Sequence, residues 1–233
     1  MTLALLPNKL KGKPLIPSRS AHHLKERFKQ LFGVFLFCIG LFLITTLITY
    51  DPTDPSFRSA TSSAANNAFG TFGSYIADPL HLAVGISSYS LVFLCFVWAW
   101  RFFFKISAHN FFQRLIFSPL TVASLSMFLS AHPTPNNWNF AYGIGGVFGD
   151  NALSLILGIA LFEINNWLKI ITGALAFLTF TLFCYSLGIT LKELKKIIYF
   201  CVAGVWNSGS YLIRSNSELT LFGLKNTPTN NTK

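Results

Sequence analysis

Long apolar runs without a single charge, separated by short segments that hold nearly all the charge, limit this chain more than any other feature. Residues 31–50 offer 20 such positions, and at ~1.5 Å per helical residue they can cross a hydrocarbon core of about 30 Å. Composition agrees: 52% of residues are hydrophobic, 25 are phenylalanine, and 11% are charged, against roughly a quarter in a soluble domain. A soluble globule is excluded. The fold class expected is an all-α integral membrane protein with four transmembrane helices and one re-entrant or interfacial half-helix.

The chain is read as three parts. Residues 1–30 form a basic arm with seven Lys/Arg against Glu26, and Pro7, Pro14 and Pro17 break any long helix before Ser18. The membrane domain covers 31–191, with spans at 31–50, 80–100, 115–131 and 170–191. The polar stretch 51–79 between the first two spans is expected as an outer loop, with a short surface helix as a further option. His81 is expected at an interface. Pro119, near the start of the third span, predicts a kink or a late helix start. Residues 192–233 form an amphipathic segment, carrying Lys192, Lys195 and Lys196, and a disordered tail; direct continuation of the last helix is the other reading.

Residues 145–162 decide the topology. The segment opens on Gly145, Gly146 and Gly149, carries Asp150 and Asn151, and has a charge-free part of only about 11 residues, too short for a crossing. With four spans and an inner N-terminus, seven basic residues of the arm, three between 101 and 114, and six after Leu191 fall inside. That is 16 of 18, with Arg58 and Lys169 outside. A fifth crossing would invert the last helix against the positive-inside bias. Both termini are therefore expected in the cytoplasm, and the net charge of +10 is read as topology signal and contact with anionic lipid, not as a nucleic-acid surface.

No catalytic, cofactor or metal site is expected. Cys38, Cys95, Cys184 and Cys201 lack metal or redox spacing, His22 and His23 are merely adjacent, and Gly12-Lys13 is followed by Pro14, not by Ser or Thr. The first apolar run lacks a small-residue cleavage site and is expected to stay as an anchor. Asp150 and Glu163, beside the half-helix, are the best carboxylates for a small transporter or channel subunit, the competing function. A lipid-modifying enzyme would need catalytic groups gathered at one face.

The outer segments carry the distinctive chemistry. Asp51-Pro52-Thr-Asp54-Pro55 ends the first helix with two Asp-Pro steps, each proline pushing its predecessor out of helical geometry. Asn67, Gly70, Gly73 and Asp78 follow, with the glycines permitting close backbone approach and Asp78 expected to cap the second span. These blocks, with Gly85, Tyr89, Arg101 and the Gly145-Gly146-Val-Phe-Gly149 element, resemble the N-terminal membrane domain of FtsK-type bacterial DNA translocases over residues 25–192.

The resemblance implies an inner-membrane anchor at the division septum, whose relatives continue through a linker into an ATP-driven motor. Neither linker nor motor is found before Lys233, so translocation and ATP hydrolysis are not carried over. The expected partners are the bilayer and other septal membrane proteins. A separate motor chain and a homo-oligomer both fit, and no direct nucleic-acid binding is expected.

Overall fold

The computed structural model describes residues 18–106, 110–159, 164–196, 198–200 and 202–204. The basic arm up to Pro17, Glu163, Cys201 and the tail beyond residue 204 lie outside the described residues. The chain divides into two compact units, Met1–Gly188 and Ile189–Lys233. Every described element of the first unit is helical: α1 (Ser18–Ile48), α2 (Gly70–Val84), a 3₁₀ turn (Gly85–Ser88), α3 (Tyr89–Phe103), α4 (Phe111–Ser130), α5 (Gly146–Gly158) and α6 (Ile164–Ser186). Among the described residues four stretches are long and apolar enough to cross a membrane: His23–Ile48, Gly70–Phe103, Phe111–Ser130 and Trp167–Ser186.

Burial runs opposite to that of a soluble core. The largest fully buried side chains are Thr46, Thr121 and six serines, whereas Phe28, Leu31, Phe35, Phe177 and Phe180 are exposed. Water would not tolerate such a surface; acyl chains would, and small hydroxyl residues let helices approach closely while their protons find carbonyls. Ser124 Oγ donates to Thr121 O at 2.9 Å and Ser90 Oγ to Ser87 O at 2.6 Å, so neither hydroxyl is left unpaired.

α1 and α3 pack antiparallel. A Cβ on Gly33 would stand 2.9 Å from Ala99 O and one on Gly40 2.9 Å from the Phe96 ring, while Tyr89 Oη donates to Leu47 O at 3.0 Å. These three pairs share one register along both helices. α4 and α6 form the second antiparallel pair: the hydroxyls of Thr121 and Ser186 meet at 2.7 Å, and farther along α4 Leu125 and Phe128 line a groove with Ala176, Thr179 and Phe180. Trp98 Nε1 donates to Ser186 O at 2.9 Å and so ties α3 to the end of α6.

The second span departs from expectation. Residues 70–79, read as outer loop with a short surface helix as the other option, are the first two-thirds of α2, which continues through Pro79. The 34 residues Gly70–Phe103 would make a straight helix of ~51 Å, and Gly85, at φ +57°, breaks it. Contacts of α2 with Tyr50, Pro55 and Arg58 hold it beside the end of α1, so the 3₁₀ turn and α3, ~30 Å together, make the crossing. Asp78 therefore lies inside a helix and does not cap the second span. His81, expected at an interface, is buried.

The other limits move less. α4 starts at Phe111, before Pro119, and Ser118 Oγ donates at 2.7 Å to Leu115 O, the carbonyl that Pro119 cannot reach. α6 ends at Ser186, not at 191, with Gly188 at φ +73° turning the chain. In the second unit a separate helical stretch opens at Leu191 on a reciprocal cap: Thr190 N donates to Glu193 Oε2 at 2.9 Å and Glu193 N to Thr190 Oγ1 at 3.3 Å.

α5 has 13 residues, ~20 Å, about two-thirds of a hydrocarbon core. Since α4 and α6 are antiparallel neighbours, the segment joining them leaves and returns on one side. α5 is thus a half-helix that does not cross. Gly146 sits at φ +76°, and a Cβ there would meet Gly85 N at 2.5 Å and Ala83 O at 2.7 Å, whereas one on Gly158 would meet nothing within 4 Å. Gly146→Ala should lower stability in detergent by at least ~1–2 kcal/mol. Gly158→Ala should leave it unchanged or raise it by up to ~1 kcal/mol. Paired thermal unfolding scans test the contrast, and equal effects would contradict this packing.

Candidate functional site: the acidic end of the bundle

The two ends of the first unit differ in charge. Lys25, Arg27, Lys29, Arg101 and Arg114 stand where α1 begins and α3 hands over to α4. Asp51, Asp54, Asp78 and Asp150 gather where α1 ends. The sequence-derived candidates all belong to this acidic end.

Pro52 and Pro55 stop the chain from continuing α1, and the aspartates before them take up the backbone donors that the turn exposes. Asp51 Oδ1 accepts from Thr53 N at 2.9 Å and Thr53 Oγ1 at 2.6 Å, and its other oxygen from Asn66 Nδ2 at 3.0 Å. The hydroxyl and amide of Thr53, with Asn66, hold the Asp51 carboxyl below its ordinary value. Asp54, only 3% exposed, accepts from Asn66 N at 2.7 Å and Asn67 N at 2.9 Å. One buried carboxylate thereby ties the two limbs of the 49–69 connection together.

Asn67 completes the knot. Its Nδ2 donates to Thr46 O at 2.8 Å and Thr49 O at 3.3 Å, two carbonyls that the end of α1 leaves open, and its Oδ1 accepts from Phe69 N at 3.1 Å. A Cβ on Gly73 would strike that same amide, so Gly73 is where α2 must lack a side chain. Gly70 faces open space; its φ of +60° turns the chain into α2. Ser74 Oγ donates to Pro55 O at 2.6 Å and fastens α2 to the Asp-Pro turn.

A second cluster surrounds Asp78. Its Oδ1 accepts from Tyr50 Oη and from Arg58 Nη2, both at 2.8 Å, and Arg58 also reaches Tyr50 Oη at 3.2 Å. Burial, and then the bond to Asp78, push the Tyr50 phenol well above its ordinary range. His81, 5% exposed, stacks on Tyr50 at 4.7 Å, and its Nδ1 lies 2.9 Å from Tyr142 Oη. Burial raises the Tyr142 phenol too. Phe140 lies against Tyr50, His81 and Tyr142, and Trp138 Nε1 donates to Tyr142 O at 2.6 Å.

The glycine turn forms the third part. Ile86 N donates to Ile144 O at 2.9 Å, and Gly85 and Gly146 meet backbone to backbone. Gly145 and Gly149 lie on Ser126 and Ser130 of α4, with Ser126 Oγ donating to Gly145 O. Asp150 accepts from Ser130 Oγ at 2.7 Å and Gly143 N at 2.6 Å.

The structure thus sorts the candidates into two groups. Asp51, Asp54, Pro55, Asn67, Gly73 and Asp78 meet around the end of α1, and Gly145, Gly146 and Gly149 meet at the break between α2 and α3. Tyr50, Arg58, His81, Tyr142, Ser126 and Ser130 escaped the sequence reading. Arg58 as the lone cation among outer aspartates, and Ser126-x-x-x-Ser130 on one helical face, were the available signals. Among the described residues no group of His, Cys, Asp or Glu could hold a metal ion.

Each described aspartate at this end accepts hydrogen bonds from donors of the same chain, so its chemistry is that of a brace. Together with four apolar helices and a half-helix, this defines a multi-pass α-helical membrane domain. The chain belongs to the family described as the 4TM region of DNA translocase FtsK/SpoIIIE, whose model matches residues 25–197. It is similar to proteins named DNA translocase FtsK: 30% identical over 128 residues in Caulobacter vibrioides, 31% over 170 in Rickettsia bellii and 30% over 125 in Azospirillum brasilense. These alignments cover 53%, 71% and 53% of this chain and 16%, 21% and 20% of those relatives. The chain spans about a fifth of the length of the relatives it matches, and no solved structure matches it.

Asp54→Asn replaces an acceptor with a donor facing a buried N–H and should destabilise the domain by ~1–3 kcal/mol in detergent unfolding, with faster proteolysis between 51 and 69. The depressed Asp51 carboxyl contributes stability that is present above its unfolded value of ~3.9 and lost as pH falls through the lower folded value. Acid unfolding curves of Asp51→Asn and the parent should therefore converge below about pH 4. Curves that stay equally separated down to pH 2 would contradict it.

Proposed function

We propose that the domain is the membrane anchor and interaction module of an FtsK-like DNA translocase, seated in the inner membrane at the division septum with both termini in the cytoplasm. The family match over residues 25–197 carries this reading. The distribution of basic residues supports the orientation, because 16 of 18 Lys/Arg then face the cytoplasm. The acidic end faces the periplasm, where its ordered loops meet other septal membrane proteins. ATP hydrolysis and DNA movement belong to a motor coupled to this anchor, and this stretch of chain performs neither.

A transport pathway would need an ionisable group open to a water-filled route. Asp78 is held by Tyr50 and Arg58, and Asp150 by Ser130 and Gly143, which supports the structural role over the transporter. Reporter fusions after Asn110 and Asn226 should report cytoplasm, and those after Ser62 and Asn137 periplasm. A fluorescent fusion that complements growth should concentrate at midcell. Uniform membrane fluorescence would count against the septal role, and a periplasmic signal at Asn226 against the topology.

A further inference from the structure

At the basic end, α1 and the start of α4 enclose an open groove of about 710 Å³. Lys25, Phe28, Lys29 and Phe32 project from one stripe of α1, at helical spacings of three and four, and Phe112 and Gln113 of α4 stand opposite. Charge and apolar surface are therefore presented side by side. Lys29 pairs with Glu26 at 2.8 Å, whereas Lys25 has no ion-pair or hydrogen-bond partner among the described residues. Asn110 gives α4 no side-chain cap, and the positive end of that helix opens beside the groove. Phe28 is 61% and Phe112 76% exposed, so the walls continue as an apolar surface suited to acyl chains.

We propose that this groove is a binding site for an anionic phospholipid of the surrounding bilayer, such as phosphatidylglycerol. The phosphate sits between Lys25, Lys29 and the first turn of α4, and the acyl chains run along Phe28, Phe32 and Phe112. Charge complementarity selects the occupant: a zwitterionic headgroup would set its own cation against Lys25. The proposal rests on the domain being membrane-embedded and does not depend on a septal location, so the fusion experiments above and the one below fail separately.

The full-length chain, purified in neutral detergent, is supplied with equal amounts of phosphatidylglycerol or phosphatidylcholine and its bound lipid counted by native mass spectrometry. Phosphatidylglycerol should bind about tenfold tighter, and the preference should fall at least about fivefold in the double variant K25Q/K29Q. The variant K192Q/K195Q, which removes the same charge elsewhere, should keep the parent's preference. Equal retention of both lipids would overturn the site. An equal loss in both variants would replace it with diffuse attraction, and a dimer that dissociates only in K25Q/K29Q would assign the groove to a second copy of the chain.

Discussion

The hydrogen bond from Ile86 N to Ile144 O settles how this domain can be built. Hydrocarbon offers no partner for a backbone donor, so a helix that breaks near lipid must find its acceptors in protein. The break at Gly85 and the turn at Gly145-Gly146 solve each other's problem. Each supplies irregular backbone, and the absence of Cβ atoms at Gly85 and Gly146 lets the two strands of chain touch. Were either glycine to carry a side chain, α2 and α5 would have to separate and leave open amides behind.

From that contact the remaining order spreads in two directions. Ser126 and Ser130 fix the glycine turn to α4, and through the Thr121–Ser186 pair α4 is joined to α6. On the other side α2 reaches α1 through Tyr50 and Asp78, and Asp54 and Asn67 bind the intervening connection to the last carbonyls of α1. The antiparallel pairs α1/α3 and α4/α6 meet at the basic end, where Phe111 of α4 packs on Phe32, Trp98 and Phe102 and Trp98 Nε1 donates to Ser186 O. Their relative placement is thus set at one end by packed rings and at the other by buried polar groups, where hydroxyls and carboxylates are matched by hydrogen-bond geometry.

The crossings were legible because a bilayer selects on length and charge, both visible in a single sequence. Residues 31–50 could hardly be anything but a span. α2 was legible only as the second option, a short surface helix: Gly70, Gly73, Ser74 and Pro79 have poor helix propensity, and Asp78 invites a capping role, so the stretch resembles a loop. Tertiary contacts override that preference through Ser74 with Pro55 and Asp78 with Arg58, separated by 19 and 20 positions. The half-helix followed from its short charge-free part, yet the partners of its glycines lie on α2 and α4, which periodicity alone cannot pair. His81 shows the same limit, since its burial depends on Tyr142, 61 residues away.

The two ends of the domain are held in opposite ways. At the acidic end each aspartate is tied to donors of its own chain, so this face is rigid and its loops keep one arrangement. At the basic end Lys25 has no partner among the described residues, the groove beside it is open, and Arg114 lies 6.0 Å from the Trp98 ring and 5.8 Å from Tyr185, its buried Nε likewise without a hydrogen bond among the described residues. The faces of the two rings hold this guanidinium through their quadrupoles. An anchor needs this asymmetry. On the function proposed above, the braced face is the one that meets protein neighbours, and the basic face, with its cations beside exposed rings, is the one that meets a fluid bilayer whose headgroups exchange.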